Sequence, residues 1–290
     1  MHQSPEAFQL AAVSYRSPDA PARFVEALRE TGFGVLVDHP IPVDLVEDVY
    51  AEWLAFFDSP AKHRYPRDPE RQDGYFSHAV SETAKGHSKR DLKEYFHIFP
   101  WGRYPGEVSG AARRYRDLAA VVAGELLGWI EDQTPADVRA RFSMPLGAMI
   151  ADSPSSLLRV LRYPPLTGGE EHGAVRAAAH EDINLITLLP ASNQSGLQLL
   201  AGDGNWMDVP CDFGALVVNV GDMLQEASGG YFRSTTHRVV NPSGEAARMS
   251  RISLPLFLQP RPEVVLSERY TAGSYLAERL RELSGRGKEG

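Results

Sequence analysis

The chain has a single cysteine, Cys211, among 290 residues. No intramolecular disulfide can form, which excludes disulfide-built scaffolds and fits a reducing, cytoplasmic setting. A basic surplus is also missing: 30 Lys and Arg stand against 38 Asp and Glu, a formal net charge of −8. Neutralising nucleic-acid phosphates needs the opposite balance, so no nucleic-acid partner is expected. No apolar run approaches the roughly 18–20 residues that a membrane span requires, so no membrane association is expected. The opening Met1-His2-Gln3-Ser4-Pro5 has neither the basic region nor the apolar core of a signal peptide. Internal repeats and low-complexity segments are absent too. What remains is a chain 43% hydrophobic and 23% charged, ordinary for a soluble globular protein and sufficient for one sizeable core or two small ones.

The first half reads as helices with short strands between them. Ala20 to Thr31 has Phe24, Ala27 and Leu28 at helical spacing and Gly32 as a stop. Phe33 to Val37 is a short buried strand, and Val43 to Phe57 is an amphipathic helix with Leu45, Val49, Trp53 and Phe56 on one face. His63 to Gly74 reads as a loop, and Asp91 to Pro100 alternates weakly as a strand. Ala111 to Glu131 is a long helix, apolar at Leu118, Val121, Val122, Leu126 and Trp129. Near residue 150 the character changes to β. Leu157 to Tyr163 is a strand stopped by Pro164-Pro165, and Thr167 to Ala179 reads as a mobile loop. Ile183 to Leu189, Gly196 to Leu200, Trp206 to Val209, Ala215 to Val220, Tyr231 to Asn241 and Met249 to Gln259 are further strands separated by turn residues. Such a series of short strands points to a sandwich or barrel. Ala272 to Leu283 is a C-terminal helix, and Ser284 to Gly290 a disordered tail. No Pro/Ser-rich linker divides the chain. Residues 1–150 are therefore expected as a mixed, largely helical lobe, 151–265 as a β core, and 266–290 as the closing helix and tail, all in one unit.

The chemistry concentrates between His180 and Ser253. His180 and Asp182 share strand parity, so an extended segment sends both side chains to one face, and His237 lies on a later strand. Two imidazoles and one carboxylate make a facial iron(II) site that leaves the opposite positions open to a cosubstrate and O₂; a structural site would close with a fourth ligand. Arg251 and Ser253 share parity on another strand, with Phe257 farther along that face. A guanidinium fork with a neighbouring hydroxyl can grip a carboxylate through charge-assisted bonds, and the Tyr163 phenol can add a third. The other histidines, His2, His39, His63, His78, His87, His97 and His172, show no such pairing and are read as non-ligands. Of these, His172 is the one whose loop can approach the site.

Together these segments resemble the isopenicillin N synthase-like branch of the iron(II)- and 2-oxoglutarate-dependent dioxygenases. The resemblance runs through His180-Glu181-Asp182-Ile183-Asn184-Leu185-Ile186-Thr187-Leu188-Leu189, Gly196-Leu197-Gln198, Gly214 to Asp222, Ser234 to Val240 and Arg251 to Phe257. In the N-terminal half it includes Gly32-Phe33-Gly34, Asp38-His39-Pro40-Ile41-Pro42, Phe56-Phe57 and Lys93-Glu94-Tyr95-Phe96. It implies an α+β fold with a double-stranded β-helix (jelly-roll) core and flanking N-terminal and C-terminal helices. It implies Fe(2+) held by His180, Asp182 and His237, and 2-oxoglutarate held at its far carboxylate by Arg251 and Ser253 with Tyr163 assisting. It implies oxidation of a small-molecule substrate, most simply hydroxylation, with O₂ as cosubstrate and release of succinate and CO₂. Plant members often carry Asn two residues before that Tyr, where this chain has Leu161, which leaves the cosubstrate contacts open.

Substrate contacts are less legible. Arg159 shares parity with Leu161 and Tyr163 and can meet an acidic substrate group. Phe96 and Phe257 are candidate pocket walls, Arg90 and Arg103 weaker candidates, and Met144 to Ile150 and the 167–179 loop candidate lids. Two alternatives stand beside the dioxygenase reading. One is an iron-dependent oxidase or cyclase of the same fold that does not use 2-oxoglutarate, with Arg251 and Ser253 gripping a substrate carboxylate. The other is a non-catalytic small-molecule binder on this scaffold.

Overall fold

Two periodicities build two kinds of layer, helices of period 3.6 and strands of period 2. The protein's structure, a computed structural model, describes residues 10–78, 91–210 and 212–285. In chain order, β1 (Ala12–Ser14), α1 (Ala20–Thr31), β2 (Phe33–Val37), α2 (Val43–Asp58), β3 (Gly74–Phe76) and β4 (Glu94–Ile98) precede the long α3 (Ala111–Gln133) and the short α4 (Ala136–Arg139) and α5 (Leu146–Ile150). Then follow β5 (Leu157–Tyr163), β6 (Ala177–His180), β7 (Ile186–Pro190), β8 (Leu197–Leu200), β9 (Trp206–Asp208) and β10 (Leu216–Val220). The chain closes with α6 (Asp222–Ala227), β11 (His237–Val239), β12 (Arg251–Ser253), β13 (Leu256–Leu258) and α7 (Ala272–Gly285). Cys211, Arg90, His87, the Met1–Pro5 opening and most of the expected tail lie outside the described residues.

The strands form a nine-stranded sheet in the order β1-β2-β10-β7-β13-β5-β4-β3, with β12 also on β5, and a four-stranded sheet β6-β11-β8-β9. All neighbours are antiparallel except β1 and β2. Strand alternation sorts the large sheet into two faces. Leu158, Val160, Ile186, Leu188, Leu216, Val218, Leu256 and Leu258 join the main core with the helices. Leu161, Tyr163, Tyr95, Phe33, Val35 and Val217 turn the other way and meet Ala177, Leu197, Leu199 and Val239 of the small sheet. The interior between the two sheets is the inside of a jelly roll.

The helices cover the outer face of the large sheet. Leu45, Val49, Trp53 and Phe56 of α2 are buried as their spacing predicts. In α3 the buried stripe is Tyr115, Ala119, Val122, Ala123, Leu126 and Ile130; Val121, expected on this face, is 71% exposed. Gly32 ends α1 in the left-handed region at φ 73°. It is required there twice over, because a Cβ would also collide with Thr235 and the Arg233 carbonyl, just before β11.

Several expectations are corrected. The segment before residue 150 is more than a lobe lying on the core, since β1 to β4 are strands of the large sheet itself. The 167–179 loop is shorter than expected, because β6 already starts at Ala177. The apolar run from Met249 to Gln259 is two strands broken at Leu254-Pro255, where proline has no N–H to give a ladder. Only His237–Val239 of the Tyr231–Asn241 segment is strand.

Candidate metal centre

Two strands of the small sheet supply the imidazoles. His180 ends β6 and His237 starts β11, and the antiparallel register sets them directly opposite each other. Their ring centroids are 4.4 Å apart. Asp182 is not on a strand, as parity reasoning had it, but in the turn after β6. That turn is fixed by the start of α6: Asp222 N–H donates to the Asp182 carbonyl at 2.8 Å and Met223 N–H to the Asn184 carbonyl at 2.9 Å. Gly221 is needed for this approach, since a Cβ there would strike Asn184.

The large sheet aims the carboxylate. Thr187 of β7 and Asn219 of β10 are cross-strand partners. Thr187 Oγ1 donates to Asp182 Oδ2 at 2.6 Å and Asn219 Nδ2 donates to the same oxygen at 2.8 Å. Oδ1 is thereby turned toward the histidines, 3.9 Å from His180 Nε2 and 3.8 Å from His237 Nε2. The imidazoles are fixed in the same manner: His180 Nδ1 lies 2.8 Å from the Ala178 carbonyl and His237 Nδ1 3.1 Å from the Thr235 carbonyl. With Nδ1–H donating, each Nε2 keeps its lone pair for a metal. One donor atom from each residue lies within 4.8 Å of the others, the one such group among the described residues. His172 is exposed and does not join it.

The electrostatics suit a cation. Burial, and then the neighbouring His237 and Lys93, push the His180 imidazole down to about 4, leaving it neutral at pH 7 although 36% of its side chain meets solvent. Burial alone would raise the Asp182 carboxyl. The two imidazoles and the bonds from Asn219 and Thr187 outweigh that and hold it below its ordinary value. Two imidazoles with Nε2 turned inward and one carboxylate, with their remaining atoms engaged, fit iron(II).

The carboxylate grip expected from sequence lies on the same interior face. Arg251 and Ser253 of β12 pair with Tyr163 and Leu161 of β5, and Arg251, Ser253 and Tyr163 are 2%, 4% and 4% exposed. The Arg251 guanidinium lies 5.2 Å from the centre of the Tyr163 ring, and its Nε donates to the Gln194 carbonyl at 3.2 Å.

Arg159 also faces the interior. Its guanidinium lies between the rings of Tyr95 and Phe257, at 4.6 and 5.3 Å, and its Nε donates to His97 Nε2 at 2.8 Å. His97 is anchored in turn through Nδ1 to the Gln72 carbonyl at 2.8 Å. Phe257 is the cross-strand neighbour of Thr187 and so adjoins the Asp182 cradle. Phe96 does not line this interior. It is fully buried on the opposite face of β4, against Trp53 and Phe56 of α2 at 5.3 and 5.9 Å. The inward residue is its neighbour Tyr95. Arg103 serves the outer loop, pairing with the buried Asp73 at 3.1 Å. A cavity of about 630 Å³ is bounded by His78, Leu92, Pro164 to Thr167 and Glu170-Glu171, and includes none of the three ligand candidates.

Sequence reasoning passed over Thr187, Asn219, His97 and Arg176. The first two had a signal, a polar residue inside each of the apolar runs Ile186 to Leu189 and Leu216 to Val220, at inward parity. The fully buried Arg176 stands alone in an Ala-rich stretch, and His97 was legible only through its partner.

The comparisons with known proteins agree with this geometry. The family described as the 2OG-Fe(II) oxygenase superfamily matches residues 154–260, and the non-haem dioxygenase in morphine synthesis N-terminal family matches residues 9–115. A crystal structure of a Shewanella oneidensis protein described as an oxygenase shares 56% sequence identity and a TM-score of 0.87, over 96% of this chain and 99% of that one. Jasmonate-induced oxygenase 4 of Arabidopsis thaliana is 31% identical over 82% of this chain and 67% of its own length. A full-length Neurospora crassa protein, solved in complex with alpha-KG, shares the fold at a TM-score of 0.77 and 22% identity, over 96% of this chain and 98% of that one. Both halves of the chain, and the interior they enclose, therefore place it among the iron(II)- and 2-oxoglutarate-dependent dioxygenases, in the branch that resembles isopenicillin N synthase.

Proposed function

We propose that the chain hydroxylates a small molecule bearing an acidic group, with iron(II) held by His180, Asp182 and His237 and 2-oxoglutarate held by Arg251, Ser253 and Tyr163. One observation carries this reading. Each Nδ1 and the Asp182 Oδ2 is already engaged by the protein, while both Nε2 atoms and Oδ1 converge. Such a donor set is prepared for a cation and leaves one side of it to ligands that are not protein. Iron bound there supplies O₂ activation coupled to oxidative decarboxylation of 2-oxoglutarate to succinate and CO₂.

The chain contributes position and dryness. The Arg251 fork and the Ser253 hydroxyl, successive inward residues of β12, bind the far carboxylate by charge-assisted bonds, and Tyr163 stands across from Arg251. Tethering that end fixes where the oxo-acid end lies. Phe33, Leu199 and Val239, all buried, keep water from the interior. Arg159, with His97 behind it and rings on either side, meets the substrate's acidic group. The Phe257 side of that subsite adjoins the Asp182 cradle, which brings the anchored substrate toward the metal.

The test is succinate and CO₂ release from 2-oxoglutarate by the iron-loaded protein, beside anaerobic titration with manganese(II) as a redox-quiet stand-in. His237→Ala is expected to abolish both metal binding and succinate release. Full activity in that variant refutes the ligand assignment, and substrate oxidation with no need for 2-oxoglutarate refutes the cosubstrate assignment.

A further inference from the structure

Arg176 is buried without any exposed surface, immediately before β6. Its Nη1 donates to Gln194 Oε1 at 2.9 Å and its Nη2 to the Met249 carbonyl at 3.2 Å, while Nε has no hydrogen-bond partner. Every acceptor is neutral, and none of its partners among the described residues is a carboxylate. A guanidinium removed from water in this way is costly unless a counter-charge arrives.

A second guanidinium shares the same surroundings. Gln194 accepts from Arg176 with its side chain and from Arg251 Nε with its backbone carbonyl. The Tyr163 ring stands beside both, 5.9 Å from the Arg176 guanidinium carbon and 5.2 Å from that of Arg251. Burial, and then the charge of Arg251, pull the Arg176 pKa down to about 10, so it stays charged at neutral pH. Two like charges side by side in a protein interior oppose folding, and nothing among Arg176's own partners offsets its charge. A bound anion does.

We infer that Arg176 is a second cation for the far carboxylate of 2-oxoglutarate, so that this end of the cosubstrate lies beside two guanidiniums rather than one. The inference rests on the reading that Arg251 and Ser253 mark the far-carboxylate subsite. It makes the pocket selective for a dicarboxylate 2-oxo acid over a monocarboxylate one. It also makes cosubstrate binding relieve a repulsion present in the protein alone, adding to the usual stabilisation by a ligand.

The experiment compares wild type, Arg176→Met and Arg251→Ala, each loaded with manganese(II). Affinity for 2-oxoglutarate and for 2-oxobutanoate, which lacks the far carboxylate, is measured by calorimetry, and melting temperature is read with and without each acid. Arg176→Met is expected to weaken 2-oxoglutarate binding by about tenfold or more, to leave 2-oxobutanoate binding unchanged, and to melt no lower than wild type when free of ligand. If the methionine variant does not fold, Arg176→Gln, which keeps hydrogen-bonding capacity without charge, is held to the same two affinity outcomes. Unchanged 2-oxoglutarate affinity in an Arg176 variant, or equal weakening for both acids, overturns the inference. If Arg251→Ala also leaves 2-oxoglutarate binding unchanged, it is the placement of the subsite that fails.

Discussion

Replacing Thr187 by valine removes one oxygen from the wall behind Asp182 and nearly preserves side-chain shape. That oxygen has two partners: it donates to Asp182 Oδ2 at 2.6 Å and accepts from Asn184 Nδ2 at 2.8 Å. Both Thr187 and Asn184 are buried, so water does not replace it. A hydrogen bond to a charged acceptor contributes about 1.5–3 kcal/mol, which corresponds to roughly 10- to 150-fold in affinity. Asn219 still holds Oδ2 at 2.8 Å, which favours the lower end, about tenfold. An opposing effect exists, because a carboxylate with one donor fewer is a more basic ligand. Loss of orientation is the larger effect, since removing such outer partners typically costs about 10- to 100-fold in metal affinity.

The same substitution leaves Asn184 Nδ2 without its acceptor, which lowers stability by about 1–3 kcal/mol. At about 2–4 °C per kcal/mol for a chain approaching this size, melting falls by several degrees. The assay is anaerobic calorimetric titration with manganese(II) at 25 °C, with melting curves to establish that the variant is folded during the titration. A folded Thr187→Val protein that binds manganese(II) as tightly as wild type refutes the argument that the large sheet aims Asp182.

Two further outcomes follow from the interior face of β4 and β5. Small carboxylic acids that stimulate succinate release by wild type are expected to lose that effect about 10-fold or more in Arg159→Met, while basal succinate release persists. His97→Leu should weaken the stimulation less, and His97→Gln, which retains an acceptor for Arg159 Nε, should recover it; equal stimulation in all three would show that Arg159 is a wall and not an anchor. Phe96→Leu should lower stability by about 1–3 kcal/mol and leave the stimulation by acids untouched. Altered stimulation with an unchanged melting curve would return Phe96 to the pocket.

Parity was the most informative property of the sequence, and its failures have identifiable causes. It placed Arg159, Leu161 and Tyr163 on one face, and Arg251 with Ser253, because those segments are ladder-bonded strands whose alternation cannot slip without exposing the core. It gave no guide at Phe96, read as a pocket wall for its aromatic ring, because β4 is buried on both faces. With no polar side to mark the outside, Phe96 and Tyr95 looked interchangeable, and only the aromatic cluster of α2 decides between them. It put His180 and Asp182 on one strand, whereas the strand ends at His180 and α6 holds the turn that carries Asp182. The extent of the large sheet was hidden for a different reason. β1 and β3 are three residues each, too short for a period to show.

The arrangement explains why a ligand set so widely spaced in sequence holds together. His180 and His237 belong to the small sheet and are paired across it. The oxygen that orients Asp182 is held from β7 and β10 of the large sheet. The donor atoms therefore meet where the two sheets face each other, and a metal there ties one sheet to the other. Neither sheet could place all three donors alone, since a strand pair offers directly opposed positions on one face while a facial site needs a third donor from the side. The α6 start that fixes the Asp182 turn follows β10 directly, so the strand that orients the carboxylate also leads into the helix that fixes its backbone. The gap of 54 residues between Asp182 and His237 is thus filled by the elements that build the site: β7 and β10 aim the acid, α6 holds its turn, and β8 pairs with the strand that carries His237.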